Sequence, residues 1–472
     1  MIVKYIALLP EIILAFGIVF MALIRLFRSA NTQKTFFTIS KWVLILATVT
    51  SIIFYNRSVG DFWQNNNYNT LFKVVMYLLS IGWGALSLKR FQNKDQVSFW
   101  FYFMLLSCLL CFAVALSYSS LLLLALMLTF CQLLNFFLLR LDIEEEEIGC
   151  CRKYLLLSTL FCLILWGGIL ILWHLAGSSD YAVIKDFVVN QDHMSKQLSF
   201  AFAMITIFFL FALGVAPFHF WQANVVSCAI LPVAGYLTFI PILAYFSIFV
   251  NLMNNVLAPL YGTYENVILF FGVLSVFLGA IGANSEDNLR KIFAYAGLYY
   301  IGVVIIAAAD MQEQSLQGAF IYLFVYILAF FGVYTVLAGC RSKGEYLHNL
   351  DEMRGLSTQR PFLSATLLVL MISLIGTPPL VGFLGKLSVI NALVVSNHYG
   401  LMAVVAFSVL ILACAYLRVI TAVYFEPRNI NFDRVDKEVY VCIAVNVILI
   451  VMTVLNPKYL MHDVEMMLNV NL

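Results

Sequence analysis

The stretch Leu374–Ile390 reads LIGTPPLVGFLGKLSVI, with two adjacent prolines, three glycines and a single lysine, inside an apolar region from about Pro361 to Val395. Proline removes a backbone donor and clashes with the preceding helical turn, so Pro378 and Pro379 predict a broken helix. At membrane depth, irregular backbone is tolerated only where it is buried in protein or lines a watered cavity. Lys386 follows the break by seven residues, and an ammonium at the bilayer centre costs about 3 kcal/mol on insertion scales. A broken helix carrying such a lysine predicts an internal ion or proton site. A lysine that snorkels to the interface is the alternative.

The surrounding chain makes the membrane reading unavoidable. Of its 472 residues 63% are hydrophobic and 11% charged, with a mean hydropathy of +0.95, which excludes a soluble domain. The net charge of +2 comes without a basic block, so nucleic acid is not an expected partner; the lipid bilayer is. The apolar run of Met1–Ile24 is too long for a cleavable signal. The ten cysteines fall mostly inside apolar segments, where they act as small hydrophobes. Cys108-Leu-Leu-Cys111 has no second pair, histidine or carboxylate nearby and the adjacent Cys150-Cys151 pair is equally uninformative, so no metal and no iron–sulfur cluster is expected. No nucleophile elbow, P-loop, G-x-G-x-x-G or alternating strand pattern is found, and no catalytic site is expected.

Apolar runs long enough to cross a bilayer lie at about 5–27, 36–55, 71–88, 97–117, 118–139, 154–177, 199–220, 229–253, 265–284, 292–310, 316–340, 361–397, 400–425 and 439–456. This predicts an all-α membrane protein of fourteen spans in a single membrane domain. The fourth and fifth runs are separated only by Ser117-Tyr118-Ser119-Ser120. With both termini outside, the odd-numbered loops carry nineteen of the 27 basic residues, among them Arg25, Arg28, Lys89, Arg90, Lys94, Arg140, Arg341 and Arg428. The opposite side holds Lys4, Arg57, Lys73, Lys185, Lys196 and Lys458, so the positive-inside rule favours an N-out, C-out chain. The acidic run Glu144–Glu147 then reads as a solvated cytoplasmic face.

Two spans are interrupted by proline, the seventh and the twelfth. Counted in units of five (97–253 and 265–425, after three N-terminal spans in 1–96 and before a C-terminal helix and tail in 439–472), each is fourth in its unit. Interrupted segments at corresponding places in two halves point to an inverted-repeat transporter with its path at the breaks. The seventh ends GVAPFHFW at Gly214–Trp221. This sets His219 just after Pro217, as a residue able to exchange a proton near neutral pH or as a hydrogen-bonded structural one. Glu11, embedded early in the first span, is a further proton-path candidate, with an interfacial cap as the other reading.

The pattern Met353–Pro361 (MRGLSTQRP) followed by Ser373–Lys386 (SLIGTPPLVGFLGK) resembles the antiporter-like subunit N family of the membrane arm of proton-pumping NADH:quinone oxidoreductase, respiratory complex I. Leu8-Leu9-Pro10-Glu11, Pro217-Phe218-His219-Phe220-Trp221 and Asp287–Tyr295 (DNLRKIFAY) agree with it. The resemblance implies a non-redox translocase subunit descended from cation/proton antiporters. Lys386 would be the central lysine of the twelfth helix and His219 the histidine of the seventh. NADH, FMN, iron–sulfur clusters and quinone would be bound elsewhere in the complex and none by this chain. The implied partners are the other membrane-arm subunits, and the implied location is a bacterial inner membrane, or alternatively a mitochondrial one. The departures are specific. Where the resemblance expects a fifth-helix glutamate stand Leu128 and Thr129, and its seventh- and eighth-helix lysines fall on Ala212 and on Pro241 or Ile242. The second half keeps its central charge and the first lacks its own. In the first half, Thr129, Gln132 and Asn135 either hold water or pack helix on helix. Two alternatives follow: a sodium/proton antiporter or hydrogenase membrane subunit of the same superfamily, and a purely structural assembly subunit.

Overall fold

The computed structural model describes residues 6–27, 33–60, 62–91, 95–143, 147–190, 195–308, 310–427 and 430–468. Lys4, Arg28, Lys94, Arg428 and Glu144–Glu146 lie outside the described residues. Among the described residues, twelve helices are long and apolar enough to cross a membrane. They are α1 (Leu9–Phe27), α2 (Gln33–Ile53), α3 (Asn67–Ser87), α4 (Asp95–Ser117), α5 (Leu121–Leu139), α6 (Ile148–Ala176), α10 (Leu231–Asn255), α11 (Ala258–Ser285), α12 (Leu289–Ala307), α13 (Glu313–Gly339), α17 (Tyr399–Tyr424) and α18 (Lys437–Leu455). Two further spans are each built from a pair of short helices, α8 (Lys196–Ala212) with α9 (Phe220–Cys228), and α15 (Pro361–Ile375) with α16 (Val381–Val395). Fourteen crossings result, as expected. The boundary at Ser117–Ser120 is real, because Ser119 and Ser120 pair with other loops instead of continuing α4.

Burial follows hydrophobic distribution. The most apolar window of α10 is buried in its entirety, and its side chains are apolar all round, as a central helix requires. Helices α12 and α13 flank it, 89% buried. Tyr68 of α3 donates to Ser247 O on α10 at 2.7 Å, and the Trp83 indole, also on α3, donates to Pro232 O at 2.6 Å. Trp83 packs edge-on against Phe239, Phe331 and Tyr334. The three N-terminal helices are thereby keyed into the seam between the two five-helix units.

Loop contacts group the ends of several crossings. On one face, Arg90 pairs with Asp142 (3.5 Å) and Glu345 (2.8 Å), while Asp436 pairs with Arg341 (3.0 Å) and Lys89. These groups lie in or beside the third, fifth, eleventh and thirteenth loops. On the other face, Ser119 N donates to Phe62 O and Leu121 N to Ser179 O, both at 2.9 Å, and His398 meets Glu265 at 3.3 Å. Odd loops share one end and even loops the other. Five crossings per unit is an odd number, so the second unit enters from the side opposite to the first.

Three expectations need correcting. The seventh span does not end at Trp221, because Phe220–Cys228 forms its second helical half; Gln222 and Asn224 ended the apolar run, yet Gln222 is buried. Two short hairpins exist despite the absence of a strand pattern, β1 (Arg57–Val59) with β2 (Trp63–Asn65) and β3 (Arg341–Ser342) with β4 (Glu345–Tyr346). They are too short to alternate detectably. Lys73 is not a loop residue, since it sits in the second turn of α3 with 1% of its surface exposed.

Candidate proton site at the second helix break

Helix α15 begins at Pro361, whose missing N–H and fixed φ suit the first turn, and ends on Gly376 in the left-handed region (φ +86°). Four terminal carbonyls need partners. Thr377 N donates to Ile372 O (3.4 Å) and Gly376 N to Ser373 O (2.8 Å), which is the Schellman pattern. The Tyr300 hydroxyl donates to Leu374 O at 2.7 Å. The last carbonyl, Ile375 O, accepts from the Lys386 ammonium. Every carbonyl is thus accounted for, one of them by the lysine predicted to face inward. The negative end of the helix dipole adds to this attraction.

The glycines make the contact possible. A Cβ on Gly382 would lie 1.7 Å from Ser373 O, so only glycine lets α16 lie this close to the end of α15. Lys386 follows Gly382 by four residues and projects from the same face. Its stem crosses Gly376, where a Cβ would come within 2.6 Å of Lys386 Cδ. Beside the ammonium is a small cavity lined by Tyr300, Tyr322, Tyr326, Ser373, Leu374 and Gly382 among others. Among the described residues the buried Tyr322 hydroxyl has no partner. The Tyr416 hydroxyl donates to Tyr300 at 3.3 Å. Among the described residues no carboxylate lines this cavity, and the ammonium donates to a carbonyl, not to an acid.

The first break carries the same backbone cap. Gly214 (φ +70°) turns the chain, Gly214 N donates to Phe211 O at 3.0 Å and Val215 N to Leu210 O at 2.8 Å, and the Trp221 indole adds a second donor to Phe211 O at 3.1 Å. Counted from the two left-handed glycines, Trp221 matches Phe383 and its acceptor Phe211 matches Ser373, so the tryptophan does not stand in for Lys386, whose counterpart is Asn224. A second cavity lies alongside, lined by Gln132, Asn135, Tyr154, Ala212, Gln222, Pro241, Ile242 and Tyr245 among others. Tyr154 donates to Gln132 (2.6 Å) and Tyr236 to Asn135 (3.1 Å). The positions where the resemblance places lysines thus converge on one pocket, and among the described residues no lysine, arginine, histidine or carboxylate lines it. Thr129 instead accepts from the Trp166 indole at 3.0 Å, a helix-to-helix contact.

This geometry predicts a double-mutant result. Ala212→Lys alone places an unpaired ammonium there and should lower thermal stability by about 3 kcal/mol. Adding Gln132→Glu should recover about 1–3 kcal/mol through pairing. Melting of the purified chain checks this, and strictly additive effects would mean that the two positions do not share a cavity.

His219 stands at the N-cap position of α9 without a side-chain capping bond, half-buried, with its ring 6.3 Å from that of Tyr295. Its Nδ1 has no partner among the described residues, and it lines neither cavity. Glu11 also stands apart. It lies in the first turn of α1, buried, with Oε1 2.5 Å from Lys73 Nζ, a partner that sequence reading missed. The pair is separated by 62 residues, and its one local signal is a lysine inside the apolar register Leu71-Phe72-Lys73-Val74-Val75.

Residues 118–412 match the family described as NADH:quinone oxidoreductase/Mrp antiporter, transmembrane. NADH-quinone oxidoreductase subunit N of Rhodospirillum rubrum is 28% identical over 295 residues, covering 62% of this chain and 60% of that relative. Subunit N 1 of Rhizobium meliloti is 26% identical over 436 residues, or 91% and 90% of the two chains. Among solved structures, a chain of respiratory complex I from Thermus thermophilus with bound aureothin aligns with a TM-score of 0.81 at 20% identity, covering 96% of this chain and 98% of that one.

Proposed function

Because the chain belongs to the NADH:quinone oxidoreductase/Mrp antiporter transmembrane family, we propose that it is the subunit N of an NADH:quinone oxidoreductase membrane arm, moving protons in step with quinone reduction. The observation that carries this reading is the Lys386 ammonium, which caps the end of a broken helix beside a small cavity lined by Tyr300, Tyr322 and Tyr326. An amine in that place takes a proton from one side, loses hydration, and gives the proton up when its surroundings change. The chain works without a redox group of its own; NADH, FMN, iron–sulfur clusters and quinone are held by other subunits. The basic odd-numbered loops face the cytoplasm, both termini face outward, and the membrane is a bacterial inner membrane.

The neutral first cavity favours a second reading, in which the first five-helix unit is a scaffold and only the second handles protons. Affinity isolation of the tagged chain from its own membranes tests the assignment. The expected result is co-isolation with NADH-oxidising peripheral subunits and adjacent membrane-arm subunits. Sodium/proton exchange by vesicles containing this chain alone, without such partners, would assign it to the antiporter branch instead.

A further inference from the structure

We infer that Glu11 and Lys73 form a second proton-binding site, in which the Glu11 carboxylate takes up and releases the proton while Lys73 remains a fixed cation. This deepens the proton-translocating reading of the chain and rests on it. Glu11 retains 5% and Lys73 1% of its exposure. Lys73 is held from three directions. Its ammonium donates to Glu11 Oε1 at 2.5 Å and to Asn65 Oδ1 at 2.7 Å, and it lies 5.5 Å from the centre of the Trp63 ring. Asn65 is itself fixed, donating to Ala7 O at 2.7 Å and accepting from Ser117 at 3.3 Å.

An ion pair serving only to fasten α1 to α3 needs no such surplus. Here the ammonium keeps an amide oxygen and an aromatic face even when the carboxylate is neutral, so protonating Glu11 does not strand a buried charge. The carboxylate is the under-satisfied member. Glu11 Oε2 is buried without a partner among the described residues, and so is the Tyr77 hydroxyl, one turn beyond Lys73 on α3. An unpaired buried carboxylate oxygen is an unoccupied proton acceptor. The step is a simple transfer: hydronium or a water chain delivers H⁺, an O–H bond forms on Oε2, and reversal returns it. Lys73 and Tyr77 are the charged and titratable groups facing Glu11 among the described residues. The site lies where α1 and α3 begin and α4 ends, beneath the hairpin Arg57–Asn65, near the membrane face shared by the even loops. It supplies a carboxylate to a chain whose first cavity has none.

The test compares Glu11→Asp, Glu11→Gln and the double variant Glu11→Gln/Lys73→Met in the assembled complex, in sealed native membranes. Complex content, protons taken up per electron and the pH profile of that ratio are measured, with Lys386→Met alongside. The double variant removes both charges together, so neither is left buried without its partner. The expected result is normal content with a loss of protons per electron and a flattened pH profile, and retention of both in Glu11→Asp. A full ratio with an unchanged profile in the double variant overturns the site. Failure of the double variant to assemble makes the pair a structural staple and equally overturns it. If Lys386→Met lowers the ratio while the Glu11 variants do not, this inference alone falls. If neither changes it, the proton-translocating reading falls as well.

Discussion

Lys386→Met should leave the complex assembled and oxidising NADH while lowering the protons moved per electron, the largest functional effect expected of any single substitution in this chain. Two stability terms oppose each other and nearly cancel. Losing the ammonium leaves Ile375 O without its partner, at a cost of about 1–3 kcal/mol. Removing a charge from membrane depth returns about 3 kcal/mol. Methionine fills the space of the stem across Gly376, so packing there changes little. Lys386→Arg separates proton exchange from capping. A guanidinium can still donate to Ile375 O, but it does not give up its proton. If the residue only closes the helix end, arginine should serve; if it cycles a proton, arginine should fail like methionine. Proton uptake and NADH oxidation in the same sealed vesicles decide between them. Unchanged stoichiometry in Lys386→Met would remove the basis for giving this lysine a proton role.

How much of this was legible in the chain depends on whether the interaction is local. The second break could be read directly, because Pro378, Pro379, Gly382 and Lys386 lie within a few turns and each has a short-range consequence. The Ser117–Ser120 boundary was legible for the same reason. The cavity beside Lys386 was not, since Tyr300 and Tyr322 are ordinary apolar-helix tyrosines until α12 and α13 are packed against the break. Lys73 was misplaced because hydropathy counting treats a charge near the edge of a run as loop, whereas Glu11 and Asn65 satisfy it inside. The second half of the seventh span was lost through Gln222 and Asn224, although the buried amide of Gln222 faces a polar cavity and not lipid. For Lys73 the partner that satisfies the polar atom is distant in sequence, and for Gln222 the surroundings that accommodate it are. Hydropathy sees the polar atom and not its surroundings.

Gly382→Ala is expected to be the most damaging methyl group that can be added near the site. Its Cβ would stand 1.7 Å from Ser373 O and 2.7 Å from Ser373 C, and backbone atoms cannot swing aside as a side-chain tip can. Helix α16 would have to move away from the end of α15 by more than an ångström. That stretches the bond from Gly382 N to Ser373 Oγ, 3.2 Å at present, and pulls Lys386 from Ile375 O. Overpacking of this kind costs about 1–3 kcal/mol or more, and an unsatisfied carbonyl adds about 1–3 kcal/mol. Gly385→Ala is the control. The nearest atom to its Cβ is a side-chain carbon, Tyr322 Cδ2 at 3.1 Å, which can yield by a few tenths of an ångström. Melting temperatures of the two variant complexes should therefore differ clearly, with Gly382→Ala much the lower. Whatever Gly382→Ala complex does assemble should resemble Lys386→Met in its protons per electron, because the lysine has lost the carbonyl that holds it. A Gly382→Ala complex with normal melting and normal pumping would show that α16 need not lie so close to α15, and the capped-break account of Lys386 would fail with it.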